Sequence, residues 1–113
     1  MTKEPGSVMT KEEREEIRKR VDDAPSDPWY VMRYNEDYGQ GYRETTYFVD
    51  VGADILKIGI GNDVASCKYY NSIAEFIAYA RQDIPALLDA LDKAETRVKA
   101  LEEAIVTWPY LWQ

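Results

Sequence analysis

Apolar residues recur at alternating steps of three and four from Ile84 to Ile105. Ile84, Leu87, Leu91, Ala94, Val98, Leu101 and Ile105 occupy the a and d positions of three heptads. That spacing predicts a coiled-coil-like helix over 84–106, beginning at an Asp83 cap with Pro85 in its first turn, where a missing N–H costs nothing. Leu88 widens the stripe at its start, and the remaining positions are mostly charged. A helix with one apolar stripe must pack on something. The stripe from Leu91 onward is narrow, which suits helix–helix pairing better than packing on a sheet.

Other periods appear earlier in the chain. Thr10 and Glu13 match a capping box that opens a helix over 10–22. Glu15 with Lys19 and Glu16 with Arg20 are acid-before-base pairs one turn apart, and only Ile17 and Val21 are apolar. Residues 1–9 read as a flexible leader. Asp22 to Pro28 is a linker with two prolines. Alternation with aromatic and β-branched residues then predicts strands at 29–34, 42–51, 55–60 and 64–69. Tyr47, Val49 and Val51 share one face of the second. Leu56, Ile58 and Ile60 line the inner face of the third. A turn over 35–41 and turns at 52–54 and 61–63 make the connections short, so the sheet is an antiparallel meander. Ser72 and Glu75 form a second capping box for a helix over 73–82, with a bend near Gln82. The expected fold is α+β: a small sheet of three or four strands within 29–70, an N-terminal helix, and a C-terminal helical pair over 72–106. It is followed by an aromatic tail over 107–113.

The helical pair carries a resemblance. Phe76 to Leu88, Phe-Ile-Ala-Tyr-Ala-Arg-Gln-Asp-Ile-Pro-Ala-Leu-Leu, is the core of a block running from Ala74 to Ile105. It resembles the C-terminal module of Ead-like accessory proteins of tailed phages and prophages, over about a quarter of the chain. The resemblance implies an accessory viral gene rather than a replication or capsid enzyme, and it brings no catalytic residues with it. The module sits behind many different N-terminal parts, so it speaks to origin more than to function.

Composition narrows the chemistry. There is no His, which removes the commonest general base and the commonest metal ligand. Cys67 is the only cysteine, so no intramolecular disulfide can form, and it reads as a half-buried strand residue. No carboxylates show metal-site spacing, and Gly39-Gln40-Gly41 lacks the lysine of a phosphate loop. No enzyme activity, cofactor or metal is expected. The net charge is -7, spread without a basic block, which argues against duplex DNA and against an anionic membrane. No apolar run is long enough to cross a bilayer and no signal peptide opens the chain, which with the lone cysteine sets the expectation of a protein in the host cytoplasm.

The unusual feature is aromatic. Trp29, Tyr30, Tyr34, Tyr38, Tyr42 and Tyr47 crowd the sheet region, interleaved with Arg33 and Arg43. Planar rings beside guanidinium groups suit a planar anionic ligand or a protein interface. Tyrosine is also an ordinary strand residue. Two functions are in play. One is sequestration of a host target, a defence protein or a nucleotide-derived signal. The other is a structural adaptor that self-associates, a dimer first, through Leu87, Leu91, Ala94, Val98, Leu101 and Ile105, with Trp108 and Trp112 adding burial. In a parallel pair Arg97 and Glu102 meet across the seam.

Overall fold

The computed structural model describes residues 9–107. Its elements are α1 (Lys11–Asp23), β1 (Tyr30–Gly39), β2 (Tyr42–Asp50), β3 (Ile55–Gly61) and α2 (Val64–Thr107). The fold is α+β, with a three-stranded antiparallel sheet in the order β1-β2-β3. The radius of gyration is 22.2 Å. A compact chain of this length has about 13 Å, and the difference comes from α2, which continues far past the sheet.

α1 starts as its sequence requires. Thr10 accepts from the Glu13 N–H, and the Glu13 carboxylate accepts from the Thr10 N–H. The first hairpin is tighter than the expected 35–41 turn. β1 runs on to Gly39, and only Gln40 and Gly41 form the loop, both with positive φ. Two left-handed residues in a two-residue loop match the right-handed twist of the flanking strands.

The core lies between the sheet and α2. Tyr47 and Val49 of β2 and Val51 just after it, the three expected to share a face, are buried against Ala74 and Ala78 of α2. Alanine at the contact lets the helix come close. β3 comes closer still at its glycines. A Cβ on Gly59 would stand 2.3 Å from the Tyr70 ring. One on Gly61 would stand 2.7 Å from the Cys67 Sγ.

Ile60 departs from the expected inner face. The β2–β3 register shifts between Tyr47 and Phe48, leaving Ile58 as an extra residue. A bulge reverses the alternation beyond it. Ile58 packs on the core, whereas Ile60 pairs with Thr46 on the opposite face.

Two further expectations are corrected at α2. Residues 64–69 are helix, not a fourth strand. Asp63 is the cap. Its carboxylate accepts from the Ser66 N–H at 2.7 Å, and the Ser66 hydroxyl accepts from the Asp63 N–H at 3.2 Å. This is a capping box with serine in the place usually held by Glu or Gln, so the sequence pattern hid it. Cys67 is half-buried, as expected, but on a helix.

The second correction is that there is no helical pair. α2 is one helix of 44 residues, with Pro85 inside it. Ser72 does not cap; its hydroxyl donates to the Lys68 carbonyl within the helix. An interior proline disfavours a helix by about 3 kcal/mol. α1 offsets this by bridging the site antiparallel to α2. Before the proline, Arg81 Nη1 donates to the Val21 carbonyl at 2.7 Å. After it, Arg18 pairs with Asp89 at 3.3 Å and with Asp92 at 2.8 Å, and Arg14 pairs with Asp92 and Glu95. Leu88 is buried within this stretch, so the widening of the stripe at Leu88 marks the α1 contact.

Three outcomes test these packing statements. Gly59→Ala, which drives a methyl into the Tyr70 ring, costs about 1–3 kcal/mol in denaturant unfolding. Pro85→Ala restores the bond to the Arg81 carbonyl and stabilises by roughly 1–3 kcal/mol; in a helix beginning at Asp83 it would be neutral or harmful. The Asp63 carboxyl is held below its ordinary value, chiefly by the Ser66 N–H and then by the Ser66 hydroxyl. Its contribution is therefore full above the ordinary carboxylate range and is lost as pH falls through the depressed folded value. Thermal melts between pH 7 and about 3 show a smaller loss for Asp63→Asn, which caps without titrating, than for the native chain.

Candidate functional site

The sheet divides the aromatic and arginine cluster between its two faces. In β1 and β2, Arg33 lies opposite Tyr47, Asp37 opposite Arg43, and Tyr34 opposite Thr46. Arg33, Arg43 and Tyr47 therefore share the face toward α2, while Tyr30, Tyr34 and Tyr42 stand on the other. That outer face also carries Met32 and Phe48, and its tyrosines are well exposed.

Each residue has its own circumstances. Tyr47 is buried in the core, and burial first, then its hydrogen bond with Cys67, pushes its hydroxyl pKa up. It supports the sheet from within. Arg43 is exposed near the hairpin tip and pairs with Asp37 at 3.5 Å. At the same tip Glu36 lies opposite Glu44, an unfavourable like-charge pair. Tyrosine hydroxyls ease it: Tyr38 donates to Glu36 and Tyr42 donates to Glu44. The bond to Glu36 is the main reason the Tyr38 hydroxyl is pushed up to about 12. Trp29 packs against the core, and its Nε1 donates to the Pro25 carbonyl at 3.2 Å.

Trp29, Tyr30 and Arg33 are brought together. They line a cleft of about 870 Å³ between the start of β1, the linker before it, and α2. That size is ordinary for a small-molecule site. Tyr34, Tyr42, Arg43 and Tyr47 do not line it. From α2 come Glu75, Tyr79 and Arg81. Arg33 is oriented by Asn71, whose Oδ1 accepts from Nε at 2.8 Å, and by Glu75 at 3.5 Å. Arg81 is half-buried and donates to the main-chain carbonyl of Val21. It has no carboxylate partner among the described residues. With two guanidinium groups and one carboxylate, the lining carries a net positive charge in a chain of net charge -7.

Tyr79 and Arg81 were not singled out in the sequence, where 73–82 reads simply as an amphipathic helix. The usable signal was the arginine itself, the one cation between Lys68 and Lys93. Among the described residues no group of three or more His, Cys, Asp or Glu is placed to hold a metal ion. No described helix is long and apolar enough to cross a membrane.

The expected self-association residues stand open. Leu87, Leu91, Ala94, Val98, Leu101 and Ile105 are all exposed. Trp108 and Trp112 lie outside the described residues. Compared with protein-family models, with curated proteins and with solved structures, the chain matches none.

Proposed function

We propose that the protein is a non-enzymatic binding protein of tailed-phage origin that captures a nucleotide-derived host signal and so blunts antiphage defence. The observation that carries the ligand class is the cleft at β1. It offers the rings of Trp29 and Tyr79 for stacking and the guanidinium groups of Arg33 and Arg81 for phosphate oxygens. A net-negative protein repels an anionic ligand elsewhere on its surface, so this local reversal of sign selects the site. The phage origin rests on the resemblance of the 74–105 block, and the defence role follows from that origin. Such a signal acts in the host cytoplasm. The chemistry required is binding alone, which fits a chain without histidine. A host defence protein is the other candidate target.

Titration calorimetry against linear and cyclic nucleotides tests the proposal. A nucleotide is expected to bind. Arg33→Ala and Arg81→Ala should each weaken it by about 10–100-fold, the contribution of a charged hydrogen bond, with circular dichroism unchanged. Arg43→Ala, outside the cleft, should leave binding unaltered. Silence from every nucleotide, together with a host protein retained equally by native and Arg81→Ala chains, would overturn the proposal.

A further inference from the structure

The fusion of the expected helical pair into one helix changes what α2 presents. The 84–105 stripe no longer begins at a helix start. Stepping back by one turn at a time from Ile84 leads through Ala80, Phe76 and Ile73 to Tyr69. Phe76, Ala80, Ile84 and Leu87 border one shallow groove on α2, and Tyr69, Ile73 and Phe76 border the next. The apolar stripe is therefore continuous over 37 residues, from Tyr69 to Ile105, about 54 Å of helix. The step from Ile73 to Ile84 is eleven residues, which relaxes the supercoil there and straightens the seam.

Nothing described in the chain covers this stripe. Phe76 is 79% exposed, Leu87 64% and Ile105 69%. The sheet and α1 occupy a different side of α2, the one carrying Ala74, Ala78, Leu88 and Asp92. At 100° per residue that side is roughly a third of a turn away from the stripe. Among the described residues the buried apolar set is small: Tyr47, Val49, Val51, Ala74, Ala78 and Leu88.

We propose that a second copy of this chain packs parallel to the first along the whole stripe, from Tyr69 to Ile105. The area suffices. Covering the exposed parts of these side chains removes on the order of 600 Å² per copy, about 1,200 Å² for the pair, where a specific interface needs roughly 1,000 Å². Charge in the C-terminal half of the seam favours the parallel direction. Arg97 and Glu102 flank the seam on opposite sides, and neither has an ion-pair partner among the described residues. In a parallel pair each Arg97 meets Glu102 of the other copy. In an antiparallel pair centred near Thr96, Arg97 would face Arg97 and Glu95 would face Glu95 of the other copy. The parallel arrangement sets both sheets at one end of the rod. On the helix side of the cleft, Ala78 and Gln82 lie on the far side of α2 from the seam, while Glu75 and Tyr79 border both the cleft and the seam groove.

The proposal goes beyond ligand capture, and its test does not depend on any ligand. In a Cys67→Ser background, single Phe76→Cys, Leu87→Cys and Ile105→Cys chains are oxidised and run on a non-reducing gel, with mass from light scattering at tens of micromolar. The expected mass is twice 13.1 kDa, and all three variants cross-link in more than half of the chains. A dimer that cross-links at none of these sites, or at Leu87→Cys alone, the midpoint of the stripe, is not parallel along it and overturns the proposal. Cross-linking at Leu87→Cys and Ile105→Cys but not at Phe76→Cys overturns the extended seam. A monomeric Cys67→Ser chain with native circular dichroism overturns the interface altogether.

Discussion

α2 has more apolar surface than the rest of the chain can cover, and the architecture follows from that imbalance. A helix of 44 residues is about 66 Å long, whereas a strand of seven to ten residues spans roughly 23–34 Å. The sheet covers the first third of α2, and α1 covers part of the middle. Both use the same side of the helix, the one that carries Ala74, Ala78 and Leu88. A second side is left as an uninterrupted apolar stripe, and a third faces the cleft. Each side of α2 thus has a different chemistry.

α1 is held mainly by charge. Its apolar contribution is limited to Ile17 and Val21, both half-buried. Arg14 and Arg18 compensate by meeting Asp89, Asp92 and Glu95, three carboxylates on adjacent turns of α2 that would otherwise repel one another. Exposed pairs of this kind contribute little singly. Arg14 differs, because its side chain is only 12% exposed and its pairs are less screened. Since these contacts fall on both sides of Pro85, α1 also splints the one weak point in α2. A short, polar helix thereby decides whether the C-terminal half is one rod or two.

What the sequence disclosed was whatever one local rule decides. The Thr10 cap, the buried face Tyr47-Val49-Val51 and the antiparallel order all follow from alternation, capping and short connections. What it concealed depended on competition. Residues 64–69 have strand-like composition, but Asp63 and Ser66 nucleate a helix through a cap whose third residue is unusual. Pro85 and the Ser72–Glu75 pattern both signal a helix start, yet tertiary contact from α1 carries the helix through. Ile60 changed faces because one inserted residue at Ile58 reversed the period. The candidate site was half legible for a related reason. Trp29 and Arg33 share a face, Tyr30 between them stands on the other, and sequence proximity does not say which strand residues share a face. Tyr79 and Arg81 come from a helix more than forty positions away.

The cleft itself is a consequence of uneven packing distance between sheet and helix. On the β3 side, Gly59 and Gly61 carry no side chain, so Tyr70 and Cys67 press onto the backbone. On the β1 side, Arg33 and Glu75 stand between strand and helix, joined by their ion pair. Small residues draw one edge together and large ones prop the other open, which makes a wedge. β1 is also the edge strand, so no further strand closes the opening. Within the wedge, the pairing of the two arginines differs. Arg33 is tied to a carboxylate and its charge is largely balanced. Arg81 is held by a peptide carbonyl, which fixes its position without cancelling its charge. A group that is immobilised, half-desolvated and still cationic favours an anion more strongly than a mobile surface lysine would. The contact that lets α1 bridge Pro85 therefore also positions the charge that gives the cleft its preference.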